Sequence, residues 1–109
     1  MPSWLNELWD LLFANTPRRR FLFRRRMRLT AETIAWVRAP ERTAEERPAF
    51  ADLLVRLDSD PFTHSAVLLM SGSPPGLRWA MLQGRRIVIR FDPVEDRVTI
   101  ISVGPAAAE

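Results

Sequence analysis

Hydrophobic and polar positions alternate most regularly between Leu77 and Gly104. Three apolar runs, Leu77–Leu82, Arg86–Phe91 and Val98–Val103, are separated by two turn signals. The first is Gln83-Gly84-Arg85. The second is Pro93-Val94-Glu95-Asp96, closed by Asp92 facing Arg97. Short runs rich in Val and Ile and bounded by Gly or Pro predict antiparallel strands. Parity then sets the register, because a one-residue slip exchanges the two faces of a strand. A three-residue loop at 83–85 pairs Met81 with Ile87, Trp79 with Ile89 and Leu77 with Phe91, so that all six share one apolar face. Arg78, Leu82, Arg86, Val88 and Arg90 then share the other. A two-residue loop would mix Arg86 and Arg90 with Trp79 and Met81, so core continuity favours the longer loop. In the second hairpin the same reasoning sets Phe91 opposite Val98 and Ile89 opposite Ile100.

Upstream, the period changes. Ser3 to Ala14 reads as a helix with Ser3 as N-cap and Glu7 near the positive end of the dipole. Its apolar positions, among them Trp4, Leu5, Leu8, Trp9 and Leu12, leave only Asn6, Glu7 and Asp10 as a polar stripe. A helix this apolar needs a cover, which predicts packing on the domain or across a homodimer interface. An in-plane membrane helix is the alternative, for a peripheral membrane protein. No basic residue precedes the helix and it carries two acids, unlike a secretory signal.

After the break at Asn15-Thr16-Pro17, Arg18 to Leu29 alternates with period two. Phe21, Phe23, Met27 and Leu29 fall on one parity and Arg20, Arg24, Arg26 and Arg28 on the other, with Arg25 as the exception. This pattern predicts a strand with one buried and one basic face. Thr30 then caps a helix over Ala31–Arg38, ended by Ala39-Pro40. A second helix is predicted over about Arg47–Leu57, with the stripe Phe50, Leu53, Leu54 and Leu57 and with Pro48 in its first turn. A capping box at Thr43–Glu46 would lengthen it backward, which Pro48 opposes. Residues 62–70 are too short a run to assign, and Ser71–Gly76 reads as a loop.

These elements predict an α+β fold: a twisted antiparallel sheet with two helices on one face, plus the added N-terminal helix. Residues 1–17 form that helix and its linker, and 18–109 a single domain, as the length of 109 residues implies. The chain has no Cys and one His, which excludes disulfide frameworks and thiolate metal sites and leaves nothing that calls for a metal or cofactor. The lack of Cys agrees with a cytoplasmic setting. All sixteen basic residues are Arg, and the net charge of +3 is uneven. Residues 18–28 carry seven Arg and no acid, whereas 29–109 carry nine Arg and eleven acids. Basic character is therefore local, which is more informative than the net charge.

From Phe21 onward the chain resembles the RelE/ParE superfamily of bacterial toxins. The resemblance rests on the basic first strand leading into two helices, on Leu57 followed by Asp60-Pro61, on Pro75-Gly76-Leu77-Arg78 opening a strand, and on Arg86-Ile87-Val88-Ile89 with an acidic turn and Ile100-Ile101-Ser102-Val103-Gly104. It implies a toxin acting on ribosome-bound mRNA or on gyrase, countered by an antitoxin whose acidic, apolar segment covers the basic face. Arg78 then matches the strand-opening Arg that holds the scissile phosphate in RNA-cleaving members, and Arg86 the Arg of a Tyr-Arg pair. Arg85 stands where the Tyr would be. The chain has no Tyr or Lys, and Gly104 is followed by Pro105, three Ala and Glu109. The resemblance thus admits both a ribosome-dependent mRNA endonuclease and a degenerate relative that acts by binding.

The candidate chemistry is an Arg set. A guanidinium binds phosphate and carboxylate bidentately through its planar fork. Arg78, Arg86 and Arg90 converge on one sheet face in the expected register, with Arg20, Arg24, Arg26 and Arg28 along the first strand. These groups either meet RNA or another acidic partner, or form a solvated face, some of them paired with Glu41, Glu45, Glu46 or Asp52. His64, near Arg78 in the expected fold, reads either as an ordinary loop histidine or, given a partner, as a general base. Trp36 and Trp79 have the spacing of core residues, with base stacking as the alternative. The rival to a toxin is a non-enzymatic interaction module that dimerises through the N-terminal helix.

Overall fold

The computed structural model describes residues 23–68, 72 and 75–105. The expected helix over Ser3–Ala14, with Trp4, Leu5, Leu8, Trp9 and Leu12, lies outside these residues, as does Arg20. Seven elements follow in order: β1 (Arg26–Leu29), α1 (Ala31–Arg38), α2 (Glu46–Ser59), β2 (Ala66–Val67), β3 (Leu77–Leu82), β4 (Arg85–Asp92) and β5 (Arg97–Val103). The strands form one sheet in the order β1-β5-β4-β3-β2. The fold is α+β. The sheet is mixed rather than wholly antiparallel, since β1 runs parallel to β5 with Met27 beside Val98 and Leu29 beside Ile100.

The helices form where capping and spacing demand. The Thr30 hydroxyl accepts the Thr33 N–H at the start of α1 and itself donates to the Ile101 carbonyl, tying the helix to β5. At α2 the capping box closes: the Thr43 N–H donates to the Glu46 carboxylate at 3.1 Å and the Glu46 N–H to the Thr43 hydroxyl at 3.2 Å. Pro48 does not oppose this, because it sits in the first turn, where no helical N–H is needed. Arg47 joins the helices by donating to the carbonyls of Val37 and Ala39 at the end of α1. Val37 from α1 and Phe50, Leu53, Leu54 and Leu57 from α2 pack with Ile87, Ile89, Val98 and Ile100 in one core.

The first hairpin differs from the expected register. Leu82 pairs with Arg85, so the loop is Gln83-Gly84 alone, and Trp79 lies opposite Val88 and Met81 opposite Arg86. Both loop residues have positive φ, 47° and 79°, as a type I′ turn requires. Such a turn matches the twist of the flanking strands, which outweighs the preference for Trp79 inside. Ala80 and Leu82 are buried, while Leu77, Trp79 and Met81 share the outer face with Arg86, Val88 and Arg90. The small Ala80 takes the inward position on β3, where the other parity would have put Trp79. In the second hairpin Phe91 faces Val98, Ile89 faces Ile100 and Asp92 faces Arg97, as expected. A bulge in β5 then passes over Ile101, so that Ser102 pairs with Val88 and Val103 returns to the core opposite Ile87.

β1 is shorter than the predicted strand. Before it, the backbone N–H groups of Arg24 and Arg25 are held by a side chain. Asp58, 2 % exposed near the end of α2, accepts the Arg24 N–H at 3.1 Å and the Arg25 N–H at 2.7 Å. Asp58→Ala should therefore lower stability to urea by about 2 kcal/mol, because it leaves two part-buried N–H groups without their acceptors. Asp58→Asn, which keeps one acceptor, should fall between. Gln83→Asn should raise stability by about 0.5 kcal/mol, since Asn tolerates positive φ at the first position of a type I′ turn. A three-residue loop would show no such gain.

Candidate functional site

The strand parity that buries Ile87 and Ile89 sends Arg86, Val88 and Arg90 to the opposite face of the sheet, which neither α1 nor α2 covers. The register sets out a cross-strand row there: Arg28 beside Thr99, Thr99 beside Arg90, Arg90 beside Leu77. Adjacent strands lie about 4.8 Å apart, so Arg28 and Arg90 stand roughly 10 Å from one another. One row over, Trp79, Val88 and Ser102 are aligned. The Arg86 guanidinium lies over the Trp79 ring at 5.1 Å. Trp79 is half-buried and Met81 is 52 % exposed.

Ion pairing divides the Arg set. Arg26 pairs with Glu95 at 3.0 Å, and Arg25 pairs with Asp96. Three of the four acids considered as partners of the first strand are taken elsewhere: Glu41 and Glu46 by Arg42, Glu46 also by Arg85 at 3.3 Å, and Asp52 by Arg56. Arg24, Arg28, Arg86 and Arg90 make no ion pair among the described residues. They are all exposed. Uncompensated guanidiniums around a half-buried Trp form a surface that attracts an anion with a flat, stackable body.

Arg78 does not converge with Arg86 and Arg90. It pairs with the buried Ile89 and so belongs to the other side of the sheet, because the two-residue loop shifts β3 by one residue relative to the expected register. Its Nε donates to the Ser65 hydroxyl at 2.6 Å, and its terminal nitrogen to the carbonyls of Ser65 at 2.8 Å and Phe62 at 3.3 Å. Arg78 thus fastens the turn that contains His64, whose N–H donates to the Asp60 carbonyl. Asp60 organises this turn by accepting the Thr63 hydroxyl and the N–H groups of Phe62 and Thr63. The Thr63 contacts, chiefly its hydroxyl, hold the Asp60 carboxyl below the ordinary aspartate value.

No known protein family, curated protein or solved structure matches this chain. The outer face is therefore judged on its geometry. Among the described residues no helix is long and apolar enough to cross a membrane.

Two structural roles were hidden in the sequence. Asp58 looks like half of an Asp-x-Asp turn signal, and only the packing of α2 against the start of β1 shows it to be an anchor. The second is a cluster around Trp36, whose ring lies 4.5 Å from the Arg42 guanidinium and 5.5 Å from that of Arg85, with Phe50 tilted against it at 5.7 Å. Glu46 joins both guanidiniums. Each link spans distant segments, so no spacing in the sequence signals it.

The Thr43 N–H, above all, holds the Glu46 carboxyl below its ordinary value of 4.5; burial pushes it upward, and the Arg42 and Arg85 charges lower it further. A carboxylate whose folded value lies below its unfolded value stabilises the fold above that unfolded value. The contribution fades as pH falls through the folded value. The stability difference between wild type and Glu46→Gln should therefore be constant from pH 7 to about 5.5 and shrink below pH 4.5. Thermal melts across that range measure it.

Proposed function

We propose that this domain binds single-stranded RNA on its open sheet face, as a toxin-type protein related to the RelE/ParE kind that acts by binding rather than by cleavage. The observation that carries the reading is the Arg86–Trp79 stack, bordered by Arg28 and Arg90 without carboxylate partners. Guanidinium and indole faces accept bases of any sequence, while free guanidiniums neutralise the backbone between them. The resemblance to toxins that act on translation favours RNA as the polyanion. An antitoxin-type partner with an acidic, apolar segment would cover the same face, since Leu77, Trp79 and Met81 lie among the Arg residues.

Chemistry on a bound strand needs a base and a fixed charge at the scissile phosphate. Arg78 is occupied by the 62–65 turn and stands on the other side of the sheet. These two facts favour action by occupancy.

Binding of a fluorescent single-stranded RNA should weaken steeply with salt, with a log–log slope near −2 if about three phosphates are neutralised. Arg28→Gln and Arg90→Gln should each flatten the slope by about 0.7. Trp79→Ala should cost about 1–3 kcal/mol with the slope unchanged, because stacking releases no counterion. Expression in a bacterial host should arrest growth, and the double Arg28→Gln/Arg90→Gln variant should relieve the arrest. If the wild type fails to bind RNA at low salt, the reading is lost and an interaction module takes its place.

A further inference from the structure

Among the described residues the sheet ends on one side at β2, two residues long, and on the other at β1, four residues long, with no strand beyond it. Hydrogen bonds set the phase of β1. The Arg26 N–H donates to the Asp96 carbonyl at 3.0 Å and the Thr30 N–H to the Ile100 carbonyl at 3.1 Å, both on the β5 side. Successive residues of a strand direct their backbone polar groups to opposite sides. Arg26, Arg28 and Thr30 therefore face β5, and Met27 and Leu29 direct their N–H and C=O groups to the outer edge. The Arg25 N–H keeps the same alternation, because it turns away from β5 to the Asp58 carboxylate at 2.7 Å. Asp58 thus closes the edge at Arg25. Past that point the N–H groups of Met27 and Leu29 have no acceptor among the described residues. The opposite rim offers less. The Leu68 N–H donates to the Leu77 carbonyl, so Val67 alone turns its backbone groups outward from β2.

An open edge of this kind is a template for a further strand. The side chains of β1 decide which strand fits. Arg28 is exposed on the outer face and makes no ion pair among the described residues, and Arg24 is exposed just before the strand. Arg26, between them, already holds Glu95 at 3.0 Å. On the inner face Met27 packs against the core and Leu29 is buried. A second copy of this edge would set Arg against Arg, and like charges directly opposite destabilise a strand pair. A strand that alternates acidic and apolar residues matches both faces, with an acid beside Arg28 and an apolar side chain beside Met27.

We propose that the outer edge of β1 binds an extended peptide segment of alternating acidic and apolar residues, which joins the five-stranded sheet as a sixth strand. It runs antiparallel to β1, the pairing that is more stable per residue. The backbone groups of Met27 and Leu29 hold its main chain, and Arg28 selects its charge. This rim is separate from the Arg86–Trp79 stack and its occupation does not require the RNA reading, although Arg28 borders both.

The test is amide NMR titration of the full chain with the peptide Ac-Glu-Val-Glu-Val-Glu-NH2, its Lys-for-Glu counterpart and two backbone N-methylated forms. In the antiparallel pair the valines share the face of Met27 and turn their N–H groups toward β1, while the glutamates turn theirs away. The Glu peptide should shift the Met27 and Leu29 amides in a saturable manner and slow their exchange with solvent. Methylating both Val nitrogens should weaken binding at least tenfold, and methylating the central Glu nitrogen should leave it within about twofold. The Lys peptide should bind at least tenfold more weakly, and Arg28→Gln should weaken the Glu peptide about threefold. The N-methyl comparison leaves the protein unaltered, so its result stands whatever a variant does to the fold. Equal binding of the Val-methylated peptide would reveal a charge contact without strand addition and overturn the proposal. So would equal binding of the Lys peptide, shifts confined to Trp79 and Arg86, or no saturable shift. A Glu-methylated peptide that binds more weakly than the Val-methylated one would overturn the antiparallel order.

Discussion

The Asp58 carboxylate is the contact on which the arrangement of the sheet depends. A two-layer α+β domain must bring its first strand to an edge of a sheet whose other strands lie far along the chain. Here one buried acid at the end of α2 receives the chain as it enters β1. It takes the backbone N–H groups of Arg24 and Arg25, while its own carbonyl accepts the Arg25 Nε at 2.9 Å. Arg25 then reaches Asp96 in the β4–β5 turn and lies over the Phe91 ring at 5.6 Å. Helix end, entering chain and hairpin turn are thereby joined at one point. From there the Arg26 N–H donates to the Asp96 carbonyl and the Thr30 N–H to the Ile100 carbonyl, which sets β1 parallel to β5. That register turns Met27 and Leu29 inward and Arg26 and Arg28 outward.

A chain without Lys asks the same residue to build and to bind. The building Arg residues use the rigid fork on fixed acceptors. Arg47 takes two carbonyls at the end of α1, Arg78 takes the 62–65 turn, and Arg42 and Arg85 bracket Trp36 and meet Glu46. Each is partly withdrawn from solvent, where a charge needs such partners. Arg24, Arg28, Arg86 and Arg90 are exposed, and Glu41, Glu46 and Asp52 are committed to other Arg residues. The basic character of residues 18–28 in the sequence therefore overstates the free charge of that segment and misses the share contributed by β4.

Much of the fold was legible, because β4 and β5 carry strict alternation and their hydrophobic parity survives any loop length. Ile87, Ile89, Val98 and Ile100 are inward on either register, and Thr30 and Pro40 bound α1 as capping chemistry requires. The register of β3 was not legible. Leu77, Trp79 and Met81 are more apolar than Arg78, Ala80 and Leu82, so pattern alone chooses the wrong parity. What decides is the local turn geometry at Gln83-Gly84 together with the small residue on the inward face, and only the second is a tertiary fact. The bulge at Ile101 is equally silent in an unbroken Ile-Ile-Ser-Val run. For the site, the outward placement of Arg86 and Arg90 was expected, but their company with Trp79 was not. The two errors have one origin, since the residue-long shift that brings Trp79 to Arg86 also carries Arg78 away from it.

That shift bears on how the surface works. Holding one phosphate between Arg78 and Arg86 requires both guanidiniums on the same side of the β3–β4 hairpin. Residues eight positions apart across a two-residue loop do not meet that condition here: Arg78 pairs with Ile89 and Arg86 with Met81, partners of opposite parity. Restoring it would need a slip of the whole hairpin, which would expose Leu82 and Ala80 and drive Trp79 and Met81 into the core. Burying Trp79 would also break its stack with Arg86. The arrangement that stabilises the hairpin is therefore the one that spreads charge along an open, stackable face instead of focusing it on a single atom. On the proposed reading, a surface of that kind would gain affinity by adding contacts along a strand rather than by acting at one phosphate.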